Sequence, residues 1–257
     1  MKYLLHILLL AFVSLTPSQG GQNLLYAATG FAGSRGELYI LNPADGSVVT
    51  DVGPLNDSNG SNYGITGLRY DPTSGKLFGI TGSSLTAPNC LVSINPSTAL
   101  VTYIGGPLSS RLSDIAIDPS TSIMYAVSGS SKYFFTVNEF SGIATRAGNT
   151  TLFPQRGGGF TANSQGVLYG ANDLTFYTYN KVTGAATAIG NTNLVNYVDA
   201  LAFSSTDVLY GIEGGGTSKV TSNRQRWLIV IDTATGAAVE LGETVGNLNS
   251  LAFAPAP

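Results

Sequence analysis

One hairpin, ITGLRYDPTSGKLFGITG at residues 65–82, recurs along the chain in imperfect copies, and that repetition limits what the chain can fold into. Ile65, Leu68 and Tyr70 lead into Asp71-Pro72-Thr73-Ser74-Gly75. There proline presets φ and glycine permits a positive φ, and Leu77-Phe78-Gly79-Ile80 restarts a β-rich run. The unit returns as LSDIAIDPSTSIMYAVSG from Leu112, GGGFTANSQGVLYGAND from Gly157 and VDALAFSSTDVLYGIEG from Val198. A fifth copy is split. Its second strand, Leu24-Leu25-Tyr26-Ala27-Ala28, lies near the start of the chain, and its first, Asn249-Ser250-Leu251-Ala252-Phe253, lies near the end.

A second repeated piece stands between the hairpins: ELYILNPADGSVVTDVG, CLVSINPSTALVTYIG, YFFTVNEFSGIATRAG, TFYTYNKVTGAATAIG and WLIVIDTATGAAVELG. Each reads as strand, turn, strand. The turn opens on Asn42, Asn95, Asn138, Asn180 or Asp232, whose side chain caps it, and four residues on comes Gly46, Ala99, Gly142, Gly184 or Gly236 for the left-handed position. Ala99 departs from the pattern, so its turn is expected to differ in type or to carry mild strain.

The anchors Leu25, Leu77, Met124, Leu168 and Leu209 are roughly 45 residues apart, and each interval holds four short strands, the period of a β-propeller blade. Five units predict an all-β protein, a single propeller of five four-stranded blades. Runs such as LIVI are apolar on both faces, which suits sheets packed face to face. The split copy predicts the closure: the C-terminal strand becomes the innermost strand of the N-terminal blade, because an open ring would leave two unprotected edges.

Met1-Lys2, the apolar run YLLHILLLAFVSL and then TPSQG have the three parts of a signal peptide. The run is too short for a membrane span. Ser18 and Gly20 fit a cleavage site after Gly20, so the expected division is a signal peptide at 1–20 and a propeller at 21–257, secreted or periplasmic, with no membrane insertion of the mature chain. The one histidine, His6, leaves with that segment, and Cys90 is the one cysteine, expected as a small buried hydrophobe. Histidine-based nucleophile systems and imidazole or thiolate metal sites are therefore not expected, and neither a metal nor a cofactor is assigned. Charged residues are 11% of the chain against a usual ~25%, with a net charge of −3, which gives no footprint for nucleic acid.

What chemistry remains is that of carboxylates. Asp45, Asp71, Asp118, Asp207 and Asp232 belong to the repeated turns, whereas Asp114, Asp173, Asp199 and Glu213 flank strands beside irregular loops and are the better candidates for paired-acid work on a glycan. Strands alternate in direction, so the tight turns are expected on one face. The irregular connections 30–36, 54–64, 83–89, 107–111, 149–157, 191–197 and 214–226 are expected on the other. Binding residues concentrate on such loops, which makes Arg35, Tyr63, Arg111, Arg156, Tyr197, Asp199, Arg226 and Trp227 the candidate ligand contacts.

With LYGIEG, LIVIDTATGAAVELG and SLAFAP in view, the chain resembles secreted bacterial propellers whose blades repeat L-Y-x-I-D-x-x-T-G and L-A-x-D-P-x-x-G-x-L-Y. It is similar to WD40-like and YVTN-type repeat proteins. The resemblance implies blades and turns and transfers no catalytic residue. The docking repeat of quinoproteins, the Asp-box of sialidases and the WMNDPNG-like segment of five-bladed fructan hydrolases do not occur in it. Two readings of function stay open here: a non-catalytic binding module for a protein or glycan ligand, and a carboxylate-dependent carbohydrate-active hydrolase or lyase.

Overall fold

The structure, a computed structural model, describes residues 23–30, 35–82, 86–108, 110–152, 158–214 and 225–257. The described residues form strands and no helix. In chain order these are β1 (Asn23–Thr29), β2 (Glu37–Leu41) and β3 (Val48–Pro54), then β4 (Ile65–Asp71), β5 (Lys76–Thr81), β6 (Leu91–Ile94) and β7 (Val101–Gly105). Next come β8 (Leu112–Ile117), β9 (Met124–Ser128), β10 (Tyr133–Val137) and β11 (Ala144–Asn149), followed by β12 (Phe160–Ala162), β13 (Leu168–Asn172), β14 (Thr175–Tyr179) and β15 (Ala186–Asn191). The last are β16 (Val198–Phe203), β17 (Leu209–Glu213), β18 (Arg226–Ile231), β19 (Ala238–Thr244) and β20 (Leu248–Pro255).

Five antiparallel four-stranded sheets result: β20-β1-β2-β3 as blade 1, β4 to β7 as blade 2, β8 to β11 as blade 3, β12 to β15 as blade 4 and β16 to β19 as blade 5. Blade 1 takes its innermost strand from the far end of the chain, with Leu25 across from Phe253 and Ala27 across from Leu251. The ring closes as the split repeat requires. The innermost strands β20, β4, β8, β12 and β16 pack on one another around the axis.

Because each sheet is apolar on both faces, there is no single core. Five apolar clusters lie between successive blades instead. Leu68 and Leu77 meet Tyr26 and Ala252 between blades 1 and 2, and Ile229 and Leu201 meet Phe176 between blades 4 and 5. Leu228 and Ile212 meet Leu25 and Leu251 across the closing junction. Cys90 is buried, as expected of a small apolar side chain.

The hairpin turns joining the first two strands of neighbouring blades touch: Thr73 Oγ1 and Ser122 Oγ are 2.7 Å apart, and Ser164 N donates to Asp207 Oδ1 at 2.9 Å. The turns joining the third and fourth strands sit at the rim of the same face, each seated against the preceding blade. A methyl on Gly190 of β15 would stand 2.0 Å from Thr235 O of the next blade, and Gly105, Gly148 and Gly242 make the same close approach to Ser141, Thr183 and Asp45. In the third-to-fourth-strand turn of blade 2, Ala99 N donates to Asn95 O at 2.9 Å as Gly46 N does to Asn42 O at 2.8 Å. The turn type is thus unchanged, and Ala99 takes φ +57° at a steric cost of about 1 kcal/mol.

Candidate functional site

The innermost strands run from the loop face toward the tight-turn face, and their free edges point carbonyls at the axis. Arg69 of β4 reaches into that space. Its Nε donates to Ile115 O at 2.8 Å, its Nη1 to Leu201 O and Leu251 O at 2.8 Å each, and its Nη2 to Asp114 Oδ2 at 3.1 Å and to Phe160 O. All five guanidinium donors are used. The acceptors lie on β8, β16, β20 and β12, so one side chain of blade 2 binds every other blade and seals the axis at this level. Asp114, 1% exposed, also accepts from Ile115 N and Phe160 N. Burial pushes its carboxyl up to about 7, against the downward pull of Arg69 and of the N–H groups of Phe160, Ile115 and Leu68.

On the loop-face side of this plug, four innermost strands carry a β-bulge at the same place, between Ile65 and Gly67, Leu112 and Asp114, Val198 and Ala200, and Leu248 and Ser250. The extra residues, Thr66, Ser113, Asp199 and Asn249, are polar and half-buried between buried neighbours. In blade 4 the corresponding place is held by Gly158, where a methyl would stand 2.9 Å from Ser113 Cβ. Two residues separate this ring from the carbonyls that Arg69 binds, a rise of roughly 6–7 Å. Bulges re-aim side chains: Thr66 Oγ1 lies 3.4 Å from Ile80 O, the Asp199 carboxylate turns to Arg226, and Asn249 Oδ1 is buried with no hydrogen-bond partner among the described residues.

The candidate contacts fall into distinct groups. On blade 5 the structure brings Asp199 and Arg226 together. Gly214 N donates to Tyr197 O at 2.7 Å, and Arg226 Nη2 lies 3.2 Å from Asp199 Oδ2. Arg226 is 2% exposed and reaches across to Leu248 O of β20 at 2.9 Å, so it braces the closing strand and orients Asp199. Trp227 is its neighbour in sequence but points to the opposite face of the sheet, toward blade 4. Arg35 is exposed, with its carbonyl accepting from Thr29 Oγ1 at 2.6 Å. Tyr63 is buried at 5% exposure and donates to Asp57 Oδ2, ordering the 54–64 loop. Arg111 is exposed on the loop entering blade 3, its carbonyl accepting from Gly129 N at 2.9 Å. Arg156 lies outside the described residues.

Of the four carboxylates singled out in the sequence, Asp114 is the partner of Arg69 and Asp199 that of Arg226. Glu213 is buried with Asn196 N and Nδ2 donating to its Oε1 at 2.9 and 3.0 Å. Asp173 is not beside an irregular loop: it stands at φ +57° in the short connection between β13 and β14. Arg69 was missed as a candidate. The signal was present in the repeats, since Arg69 aligns with Ala116, Thr161, Ala202 and Ala252, four small residues and one long cation at a single register. The described residues contain no group of three or more His, Cys, Asp or Glu placed to hold a metal ion, and no helix long and apolar enough to cross a membrane.

No family model and no curated protein matches the chain. Among solved structures, a chain in the crystal structure of a Nidogen/Laminin complex aligns with 90% of this chain and 98% of its own length, at a TM-score of 0.56 and 13% identity. Kuenenia stuttgartiensis hydrazine synthase aligns with 72% of this chain and 49% of its own length, at a TM-score of 0.45 and 15% identity. The first likeness is one of fold, and the second is too distant to add to it.

Proposed function

We propose that this protein is a secreted, non-catalytic binding propeller whose ligand, a protein or a glycan, docks on the loop face. The observation that carries this reading is the sealed axis. With Arg69 tied to all the other blades, the ring is a fixed support, and half-buried polar side chains and irregular loops gather at one end of it. The opposite end is built of short turns closed on their own capping side chains. The engagement of Asp114 and Asp199 with arginines supports binding over carboxylate-dependent hydrolysis, which needs two carboxyls open to substrate at ~5–9 Å. A chain of the same fold in the Nidogen/Laminin complex is in keeping with an interaction role, though the fold alone is what is shared.

Export belongs to the same proposal: residues 1–20 are removed and the mature chain begins at Gly21 in the periplasm or outside the cell. Those residues lie outside the described ones. Intact-mass measurement of the exported protein tests this directly, and a retained Met1 in a membrane fraction would refute it.

The binding reading is tested by screening the mature chain on glycan arrays, on immobilised extracellular proteins and against a panel of glycoside substrates. Capture without turnover is expected. Arg35→Ala and Arg111→Ala should weaken it at an unchanged melting temperature, whereas Phe140→Ala and Val182→Ala, exposed at the tight-turn rim, should leave it intact. Turnover of a glycoside that is abolished by Glu213→Gln would replace the binding module with a hydrolase.

A further inference from the structure

At the loop-face end of blade 5, three neighbouring strands bring Glu213, Trp227, Glu240 and Glu243 onto one face of the sheet. Glu213 stands directly across from Trp227, and Trp227 directly across from Glu243. Ile229, two residues on and therefore on the same face, stands across from Glu240. Ile229 and Ile231 of this row pack with Phe176 and Ala171, so the face looks toward blade 4.

Glu213 is 1% exposed, and while Asn196 satisfies its Oε1, its Oε2 has no hydrogen-bond donor among the described residues. Leaving a buried carboxylate oxygen in that condition is costly, so the position asks for a donor. Burial raises the Glu213 pKa, the N–H and amide of Asn196 oppose the rise, and the Glu240 carboxyl adds to it by its charge and by a side-chain hydrogen bond. The pair makes that bond only while one of the two holds a proton; with both ionised, Glu213 Oε2 is left without a donor. Glu243 accepts an amide hydrogen bond from Gln225 at 3.1 Å. The ion pairs among the described residues are Arg69–Asp114, Lys181–Asp118 and Arg226–Asp199, so none of these three glutamates has a cationic partner there. Among the described residues, positive charge is what this face lacks.

A metal ion does not suit it, because the carboxylates flank an indole in a row and no three of them converge as ligands. Carboxylates beside an aromatic face are the arrangement that receives a planar organic cation, charge against charge at the edge and ring against plane. We propose that this edge of blade 5 is a receptor for a guanidinium group, an arginine side chain presented by a partner protein. The proposal rests on the binding-module reading and names the chemistry of the partner.

Trp227 is the only tryptophan, so its emission reports on the site without a label. The full mature chain is titrated with N-acetyl-arginine amide, with lysine amide, calcium chloride and sodium chloride as parallel arms. A saturable change in Trp227 emission with the arginine probe, absent with sodium chloride and weaker with lysine amide, is expected. Glu213→Gln and the exposed-site variant Glu240→Gln should each weaken it on the order of tenfold or more. Glu240→Gln should do so at an unchanged melting temperature, which separates loss of the site from loss of the fold. No saturable response, an equal response in both variants, or a response to calcium alone would overturn the proposal. Such a failure is distinct from failure of the binding-module reading, which is tested by capture and by residues on other blades.

Discussion

Arg69 stands where the other four repeats keep Ala or Thr because the axis has room for one long side chain, and a guanidinium has as many donors as that space has acceptors to satisfy. Removing it leaves the carbonyls of four strands without that donor and the Asp114 carboxylate, still held by Ile115 N and Phe160 N, without its counter-charge in a buried space. Arg69→Ala should therefore cost about 3–5 kcal/mol, read as a lower denaturation midpoint. Arg69→Met with Asp114→Ala should cost less than the sum of the single changes, because the double variant leaves no lone buried charge. Asp118 makes the pH-dependent counterpart at the rim. Burial raises its pKa, but the Lys181 ammonium at 2.7 Å and the hydroxyl and N–H of Ser120 outweigh that and hold it down to about 2. A carboxyl depressed from an unfolded value of ~3.9 contributes stability that is complete above that pH and is lost as pH falls toward 2. The melting temperature of Lys181→Ala should accordingly fall less steeply than wild type between pH 4 and 2, and parallel curves would show that the pair contributes nothing.

Among the elements, β20 is the one whose absence breaks the ring. It supplies the inner backbone ladder of blade 1, the buried Leu251 and the carbonyls that Arg69 and Arg226 bind. Deleting residues 247–257 should cost several kcal/mol or more, comparable to the usual stability of a domain. Cooperative melting near the wild-type temperature would contradict a closure of this kind. The closing strand and the blade number were legible in the sequence because they rest on local patterns: alternation, the Asp-Pro-x-x-Gly and Asn-x-x-x-Gly turns, and a repeat cut in two. The bulges at Thr66, Ser113, Asp199 and Asn249 were not, since a bulge is a property of two strands paired and a lone strand reads the same with or without it. The same limit hid Arg69, which in ITGLRYD looks like any outward-facing residue of an alternating strand until four other strands surround it. Asp173 was misplaced for a related reason, as a two-residue connection and an irregular loop begin with similar polar residues.

For the whole molecule the question is whether the blades are independent units, as in an open repeat array, or one. An open array is stabilised by nearest-neighbour contacts and can lose its ends first. Here the five clusters lie between blades and include the closing junction of Leu228 with Leu25 and Leu251, so no blade has a free end from which to fray. Arg69 adds contacts beyond nearest neighbours, since β4 bonds directly to β12 and β16, two blades away on either side. Both features couple every blade to the rest, and the ring should unfold in one step. Trp227 provides a local test, because as the only tryptophan it reports blade 5 alone, while far-ultraviolet circular dichroism reports all five blades. In urea the two signals should trace a single coincident transition with one midpoint and one slope. In Arg69→Ala the links across the axis are gone but the junction between neighbours remains, so the curves should stay coincident at a lower midpoint. In the chain lacking residues 247–257 the ring is open, and the Trp227 transition should precede that of the remaining blades. Separate transitions in the wild-type chain would mean that the blades are coupled too weakly for the sealed axis to act as a common support.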